Sequence, residues 1–495
     1  MTTQTSPDKE PREEGLDPAN WEAMRTLAHR MVEDMLEYLQ TVRERPVWKP
    51  IPEKTRKAFT ESLPKSETSV EAVYEEFREK ILPYPLGNIH PRFWGWVVGS
   101  GTPLGMLADM LASGMNPNLA GADHAANVVE RQVIEWCKQM FEYPGGSSGL
   151  LVSGASVANF VALTVARNAK AGHDIRSDGL KQGNHQLVLY ASAETHFSNQ
   201  RAVEILGLGS DYFRQIPVDD EYRIRVDVLR EAIEKDIKQG LKPICVIGNI
   251  GTVNTGAIDP LDELADIAEK YELWYHIDGA FGAWAYLSSE LRPKLHGMSR
   301  ADSLAFDLHK WGYQPIEVAC VLISDHEAHR TAFAPTAQYI KHAARGAAAG
   351  ANWFQEYGVQ QTRGFRALKV WMAFKVHGVD KLGRMIQQNI DQAKYLAKLV
   401  EASPHLQLVA PVPMNIVCFR FTAPELSNEQ QNQLNEELLI RLQESGVAVP
   451  SSTTLQGRFA IRCAITNQRS RRQDFEMLVR EVERIGKQLL SEGFG

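Results

Sequence analysis

The sequence predicts an α/β fold: a mostly parallel sheet in a large domain, preceded by an N-terminal helical arm and followed by a small C-terminal α+β domain. Three observations carry this expectation. Short runs rich in Val and Ile, apolar throughout, alternate with amphipathic helical segments between residues 186 and 323, the pattern of a sheet covered on both faces. Beyond residue 380 the alternation gives way to helices separated by a few strands. Residues able to do chemistry directly follow the apolar runs, where open α/β sheets place their ligands.

The elements follow in order. Residues 1–16 are polar and read as a disordered tail. Trp21, Met24, Leu27, Ala28, Met31, Val32, Met35, Leu36 and Leu39 fall at three- and four-residue steps, one apolar face of a helix. A second helix is predicted over 70–81. Such an arm could pack on its own domain or on another subunit. Pro83, Pro85, Pro91 and Pro103 punctuate a loop carrying His90, Phe93, Trp94 and Trp96, whose aromatics suit either a wedged core or the wall of a pocket. Helices are predicted over 104–114 and 125–142. The Gly/Ser-rich stretch 145–154 leads into Ala155-Ser156 and a helix. A small-residue turn opening a helix can hold an anion, although an ordinary N-cap looks the same.

Strands are predicted over 186–191, 213–218, 243–250, 273–278, 303–306 and 318–323, with helices over 197–206, 227–239 and 260–271 between them. Residues 325–362 read as a loop, with Gly346 to Gly350 as part of a mobile lid. Helices over 365–377, 386–400, 429–444 and 471–490, and strands within 406–421 and 459–465, complete the chain. The expected division is 1–90 for the arm, 91–380 for the large domain and 381–495 for the small one.

Bulk properties exclude several classes. The chain has 495 residues and a net charge of −7, with 44% hydrophobic and 23% charged residues, ordinary for a globular protein. It has no Lys/Arg-rich block to serve a nucleic acid, and no run of about 18 apolar residues to span a membrane. The five cysteines are scattered, without metal-ligand spacing, so buried free thiols in a cytoplasmic, reducing compartment are expected and no metal.

The chemistry concentrates in two segments. One is Asp302 to Tyr313, an apolar run ending in Asp307-Leu308-His309-Lys310. The other is Trp274 to Ala280, a run ending in Asp278-Gly279-Ala280. Taken singly, a lysine after a strand is a surface lysine and an Asp-Gly is a turn. Taken together they supply the two groups a pyridoxal phosphate site needs, an amine for the aldehyde and an acid for the ring nitrogen.

With these residues in hand the chain resembles the group II pyridoxal-phosphate decarboxylases, and most of all the aromatic L-amino acid decarboxylases. The carrying motifs are His90-Pro91-Arg92-Phe93, Ser153-Gly154-Ala155-Ser156, His196-Phe197-Ser198, Gly251-Thr252, His276-Ile277-Asp278-Gly279-Ala280, His309-Lys310-Trp311, Tyr339-Ile340-Lys341-His342 and the run from Arg363 to Lys369. The resemblance implies a fold-type I, aminotransferase-like architecture, pyridoxal 5'-phosphate as cofactor, an amino acid substrate, and a homodimer that exchanges its N-terminal arms. It implies that Lys310 binds the cofactor aldehyde and that Asp278 keeps the ring nitrogen protonated. Ala155 and Ser156 would hold the phosphate, His196 would stack on the ring, Thr252 and Ala280 would line it, and His309 would sit beside the lysine. Tyr339 would return a proton to the α-carbon.

The chain departs from that pattern at Asp307, where asparagine is usual, at Val253, at Leu308, and in the loop from Trp94 to Thr102. The implied activity is decarboxylation of an aromatic or bulky apolar L-amino acid to the amine. The alternatives are a decarboxylation-dependent aldehyde synthase or an aminotransferase on the same scaffold. A synthase would carry phenylalanine at the loop tyrosine, and a non-enzymatic binding protein would lack the lysine.

Overall fold

The structure is a computed structural model and describes residues 14–182, 185–334, 343–350 and 352–493. Two compact units are present. One comprises the described residues up to Arg45 together with Glu53–Pro83; the other comprises Pro46–Pro52 and Tyr84 onward.

In the first unit the predicted amphipathic helix is Trp21–Gln40. Asn20 starts it by accepting the N–H groups of Glu22 and Ala23, which would otherwise lack partners. The second helix runs Val70–Glu76 and ends in a wider turn over Phe77–Ile81. Asp34 joins the two, accepting the Tyr74 hydroxyl at 2.7 Å. Leu27 and Tyr38 are buried, but Trp21 is 62% exposed and Met31, Met35 and Leu39 are only half-buried.

The second unit is built on two sheets. The larger has seven strands, in the spatial order Ser148–Val152, Ala319–Ile323, Ser303–Asp307, Trp274–Asp278, Lys242–Asn249, Leu187–Ser192 and Phe213–Ile216. Ala319–Ile323 alone runs against the others. The parallel strands are apolar because helices cover both faces, and Ala155–Lys170 is buried along most of its length against this sheet. The smaller sheet orders Phe93–Trp94, Val449–Leu455, Arg458–Ala464, Ile416–Phe421 and Leu406–Leu408. Its separate core gathers Trp94, Phe419, Phe421 and Phe475.

Several elements differ from expectation. Ser148–Val152 is an edge strand, not merely an approach to the helix; five residues after a Gly/Ser run carry too little periodicity to read. Phe93–Trp94 and Val449–Leu455 pair in parallel across more than 350 residues of sequence, a contact no local pattern encodes. Within the expected loop 325–362, Asp325 caps a helix over His326–Phe333. The helices expected over 365–377 and 386–400 form one element, Ala367–Ala402, kinked at Gly378 with φ +69°, a conformation that favours glycine. The described part of the expected lid is tied down: Ala349 N–H donates to Gly346 O, and Asp123 N–H donates to Ala347 O.

All five cysteines are buried and unpaired. Among the described residues no helix is long and apolar enough to cross a membrane.

Buried imidazoles make the fold acid-sensitive. His329 is fully enclosed between Ser148 Oγ at 2.8 Å and the Tyr357 carbonyl at 2.8 Å, and burial pushes it down to about 3. Burial likewise takes His276 to about 4. Both groups bind protons less readily folded than unfolded, so stability is lost as pH falls below the unfolded value near 6.5, by about 2 kcal/mol each at pH 5. Asp259, raised by burial to about 6, works in the opposite direction over part of that range without cancelling both. The thermal midpoint should therefore fall between pH 7 and pH 5, and His329→Gln should flatten the dependence. A midpoint that holds level in the parent protein would contradict this account.

Candidate functional site

The parallel strands end on one edge of the large sheet, and the predicted residues lie on the turns that follow them. Asp278 is the last residue of its strand, beside Asn249 on one side and Ala305 on the other. Its carboxylate is buried. Oδ2 accepts Asn159 Nδ2 at 2.9 Å and Asn199 Nδ2 at 2.8 Å, and Oδ1 accepts the Ala280 N–H at 3.1 Å. Three N–H donors suit an ionised carboxylate, which can only accept.

Lys310 lies on the turn after Ser303–Asp307. Its Nζ is 2.8 Å from Asp307 Oδ2. The other oxygen of Asp307 accepts the Ala155 N–H at 2.7 Å, and His309 Nε2 lies 3.8 Å from it. Asp307, which the resemblance left without a role, therefore bridges the lysine and the opening of the Ala155–Lys170 helix. Ala155 is buried and Ser156 is exposed at that opening. A phosphate reaching the Ala155 N–H would have to share it with Asp307.

His196 caps the helix Phe197–Ile205, its Nδ1 2.7 Å from Ser198 Oγ. Burial pushes its imidazole down, against the opposing pull of Asp278. His309 is pushed down by burial too, against the carboxylate of Asp307, and its Nδ1 is 2.9 Å from the Val318 carbonyl. Thr252 is buried and its hydroxyl is engaged within its own loop, accepting the Ala257 N–H at 3.0 Å and lying 3.1 Å from Thr255 Oγ1. Ala280 is half-buried one turn from Asp278. Tyr339 lies outside the described residues.

Sequence reasoning missed three groups. Asn159 lies one helical turn after Ala155, and Asn199 three residues after His196; both are polar residues on otherwise buried helix faces, the only local signal. Arg462 carried none. Its buried guanidinium donates to the carbonyls of Asn254 at 3.0 Å, Trp96 at 2.9 Å and Val253 at 2.6 Å, so it joins the loop after Lys242–Asn249 to the aromatic loop.

That aromatic loop also closes on the lysine turn. A Cβ on Gly99 would lie 1.8 Å from the His309 carbonyl oxygen and 2.7 Å from that of Lys310, far inside contact distance. Of the aromatics in residues 83–103 expected to be either wedged core or pocket wall, Trp94 is fully buried core, whereas Trp96 is 55% exposed.

The edge thus offers an amine, a buried acid, an imidazole and a helix opening within one cluster. These donors and acceptors fit pyridoxal phosphate: a lysine for its aldehyde, an ionised acid for its ring nitrogen and small residues at a helix start for its phosphate.

Comparison with known proteins points the same way. Residues 52–422 match the pyridoxal-dependent decarboxylase conserved domain. A Bacillus atrophaeus protein described as an aromatic-L-amino-acid decarboxylase is 34% identical over 472 residues, covering 94% of this chain and 96% of its own. The crystal structure of Oryza sativa TDC with PLP and tryptamine superposes with a TM-score of 0.89 at 26% identity, covering 96% of this chain and all of that one. Rhodiola rosea 4-hydroxyphenylacetaldehyde synthase superposes at 0.86 and 26% identity with the same coverage.

Gly99→Ala tests the packing of the loop on the lysine turn. The methyl must displace backbone, at a cost of about 1–3 kcal/mol, read as a lower urea midpoint. Gly364→Ala, where no atom outside its chain neighbours lies within 4 Å, is the control. Equal midpoints for the two variants would show that the loop does not press on Lys310.

Proposed function

This chain belongs to the pyridoxal-dependent decarboxylase family and is an amino acid decarboxylase that uses pyridoxal phosphate, and we propose that its substrate is an aromatic or bulky apolar L-amino acid, released as the amine. The observation that carries the proposal is the placing of Lys310 and the buried, triply bonded Asp278 at the ends of neighbouring parallel strands. The aromatic preference is supported by the Bacillus relative and by tryptamine in the Oryza structure.

The cofactor, when bound, supplies an electron sink for the pair left behind by carbon dioxide. The protein supplies the rest. Lys310 would bind its aldehyde and give way to the substrate amine. Asp278 would hold the proton on the ring nitrogen. His196 would stack on the ring, with Thr252 and Ala280 lining it. Ser156, with Ala155, would hold the phosphate. Asp307 would receive the Lys310 ammonium whenever the lysine is free, at the distance already present, and His309 would flank the reacting amine. Tyr339 would deliver the proton to the α-carbon, because a phenol can donate where a benzene ring cannot.

We read the chain as a homodimer in which residues 1–90 reach around the partner, 91–380 carry the cofactor and 381–495 form the small domain. Incomplete cover of the Trp21–Gln40 helix supports this, as do the exposed Met110, Leu111, Met115 and Val376 in the other unit. Five buried free thiols suit a cytoplasmic location.

Two measurements test the reading. Borohydride treatment of the yellow, loaded protein should fix the cofactor to Lys310 in a peptide map; label on a different lysine would overturn the assignment. Tyr339→Phe should still release carbon dioxide but should consume oxygen and shift product from amine toward aldehyde, ammonia and peroxide. Product per carbon dioxide, with and without oxygen, decides it. An unchanged amine yield would assign the proton to another group.

A further inference from the structure

We propose that Trp274, Ser303, His276 and Asn159 form a one-way chain of hydrogen bonds that aims the Asn159 amide at Asp278 and so holds that carboxylate as an acceptor for the ring nitrogen. The inference rests on the reading of Asp278 given above and names four positioning residues for it.

The direction of the chain follows from its two ends, an indole N–H that only donates and a carboxylate oxygen that accepts the Asn159 amide. The indole Nε1–H of Trp274 can only donate, and it lies 2.7 Å from Ser303 Oγ. Ser303 then directs its own hydrogen at His276 Nδ1, 2.9 Å away. An imidazole that accepts at Nδ1 and stays neutral carries its proton on Nε2, and that nitrogen is 3.0 Å from Asn159 Oδ1. With Oδ1 accepting, the carboxamide must turn Nδ2 toward Asp278, where it donates at 2.9 Å. With Asn159 Nδ2 given to Asp278, Oδ1 is left to accept from His276 Nε2–H, Nδ1 is left to accept from the Ser303 hydroxyl, and the Trp274 N–H occupies a lone pair of that oxygen.

Burial reinforces the order. Trp274, Ser303, His276, Asn159 and Asp278 are all buried, so water cannot reverse a link, and burial keeps His276 neutral, at about 4. Among the described residues the charged group bearing on His276 is Asp278, whose charge opposes that lowering. A reversed chain would point Asn159 Oδ1 at a carboxylate oxygen, a repulsive contact in a low-dielectric setting.

The chain also ties separate parts of the site together. Asn159 lies on the helix that opens at Ala155, and Asn199, the other amide on Oδ2, lies on the helix capped by His196. Asn199 continues outward as a donor to Thr195 Oγ1 at 3.1 Å, and Thr195 donates to Asn249 Oδ1 at 2.9 Å. The elements that would meet phosphate and ring face are thereby set in register with the acid under the ring nitrogen.

The test uses loaded enzyme carrying cofactor labelled with nitrogen-15 in the ring, and protein labelled at histidine. Wild type should give a protonated ring nitrogen and His276 in the Nε2–H form, identified by its loss in His276→Gln. Ser303→Ala removes the hydroxyl that holds Nδ1 as an acceptor. It should yield mixed tautomers, a ring-nitrogen signal moved toward the unprotonated form, and kcat lower by about 10-fold, one hydrogen bond's worth, with KM nearly unchanged. Ser303→Thr, which restores the hydroxyl, should recover all three. Asn159→Leu, which cannot donate to Asp278, should displace the ring-nitrogen signal further. If that variant does not fold, the Ser303 pair decides alone. If Asp278→Asn moves the ring-nitrogen signal while Ser303→Ala leaves both signals in place, the chain is refuted and the reading of Asp278 stands. If Asp278→Asn moves nothing, both fall.

Discussion

A carboxylate buried at the end of a parallel strand must be met by donors, and the site is organised around that requirement at Asp278. Removing an ionised group from water is costly unless hydrogen bonds replace its hydration. Here the replacements are two carboxamides and one backbone N–H. They come from two helices and the following turn, so satisfying one charge fixes the position of three segments. A fold without this convergence would leave that carboxylate without replacements for its hydration.

Asp307 meets the same requirement in another way. It is as buried as Asp278, but one of its partners is a cation, Lys310, and the other is the N–H that opens the Ala155–Lys170 helix. An asparagine there could accept the N–H but could not balance the ammonium. The departure from the family pattern therefore has a physical content: it gives Lys310 a carboxylate partner 2.8 Å away. Arg462 solves the converse problem. Its buried charge is spread over three backbone carbonyls, and this fastens the aromatic loop and the Thr252 loop to the small sheet. A related synthase and a related decarboxylase share the fold at similar TM-scores, so the scaffold does not separate amine from aldehyde.

The amino-acid sequence by itself determined the sheet and the edge on which Lys310 and Asp278 stand. Those features are local: apolar runs of strand length, helices of 3.6 periodicity between them, and reactive side chains on the turns that follow. It could not reveal the edge strand Ser148–Val152, the pairing of Phe93–Trp94 with Val449–Leu455, or the helix His326–Phe333 inside an apparent loop, because each is settled by partners distant in the chain or by a single capping residue. Only the tertiary structure decided what holds the reactive groups. Asn159 and Asn199 are unremarkable in sequence, and what they do comes from where the helices bring their donors and acceptors. A hydrogen bond's direction depends on every bond before it, and that information exists only once the chain has folded.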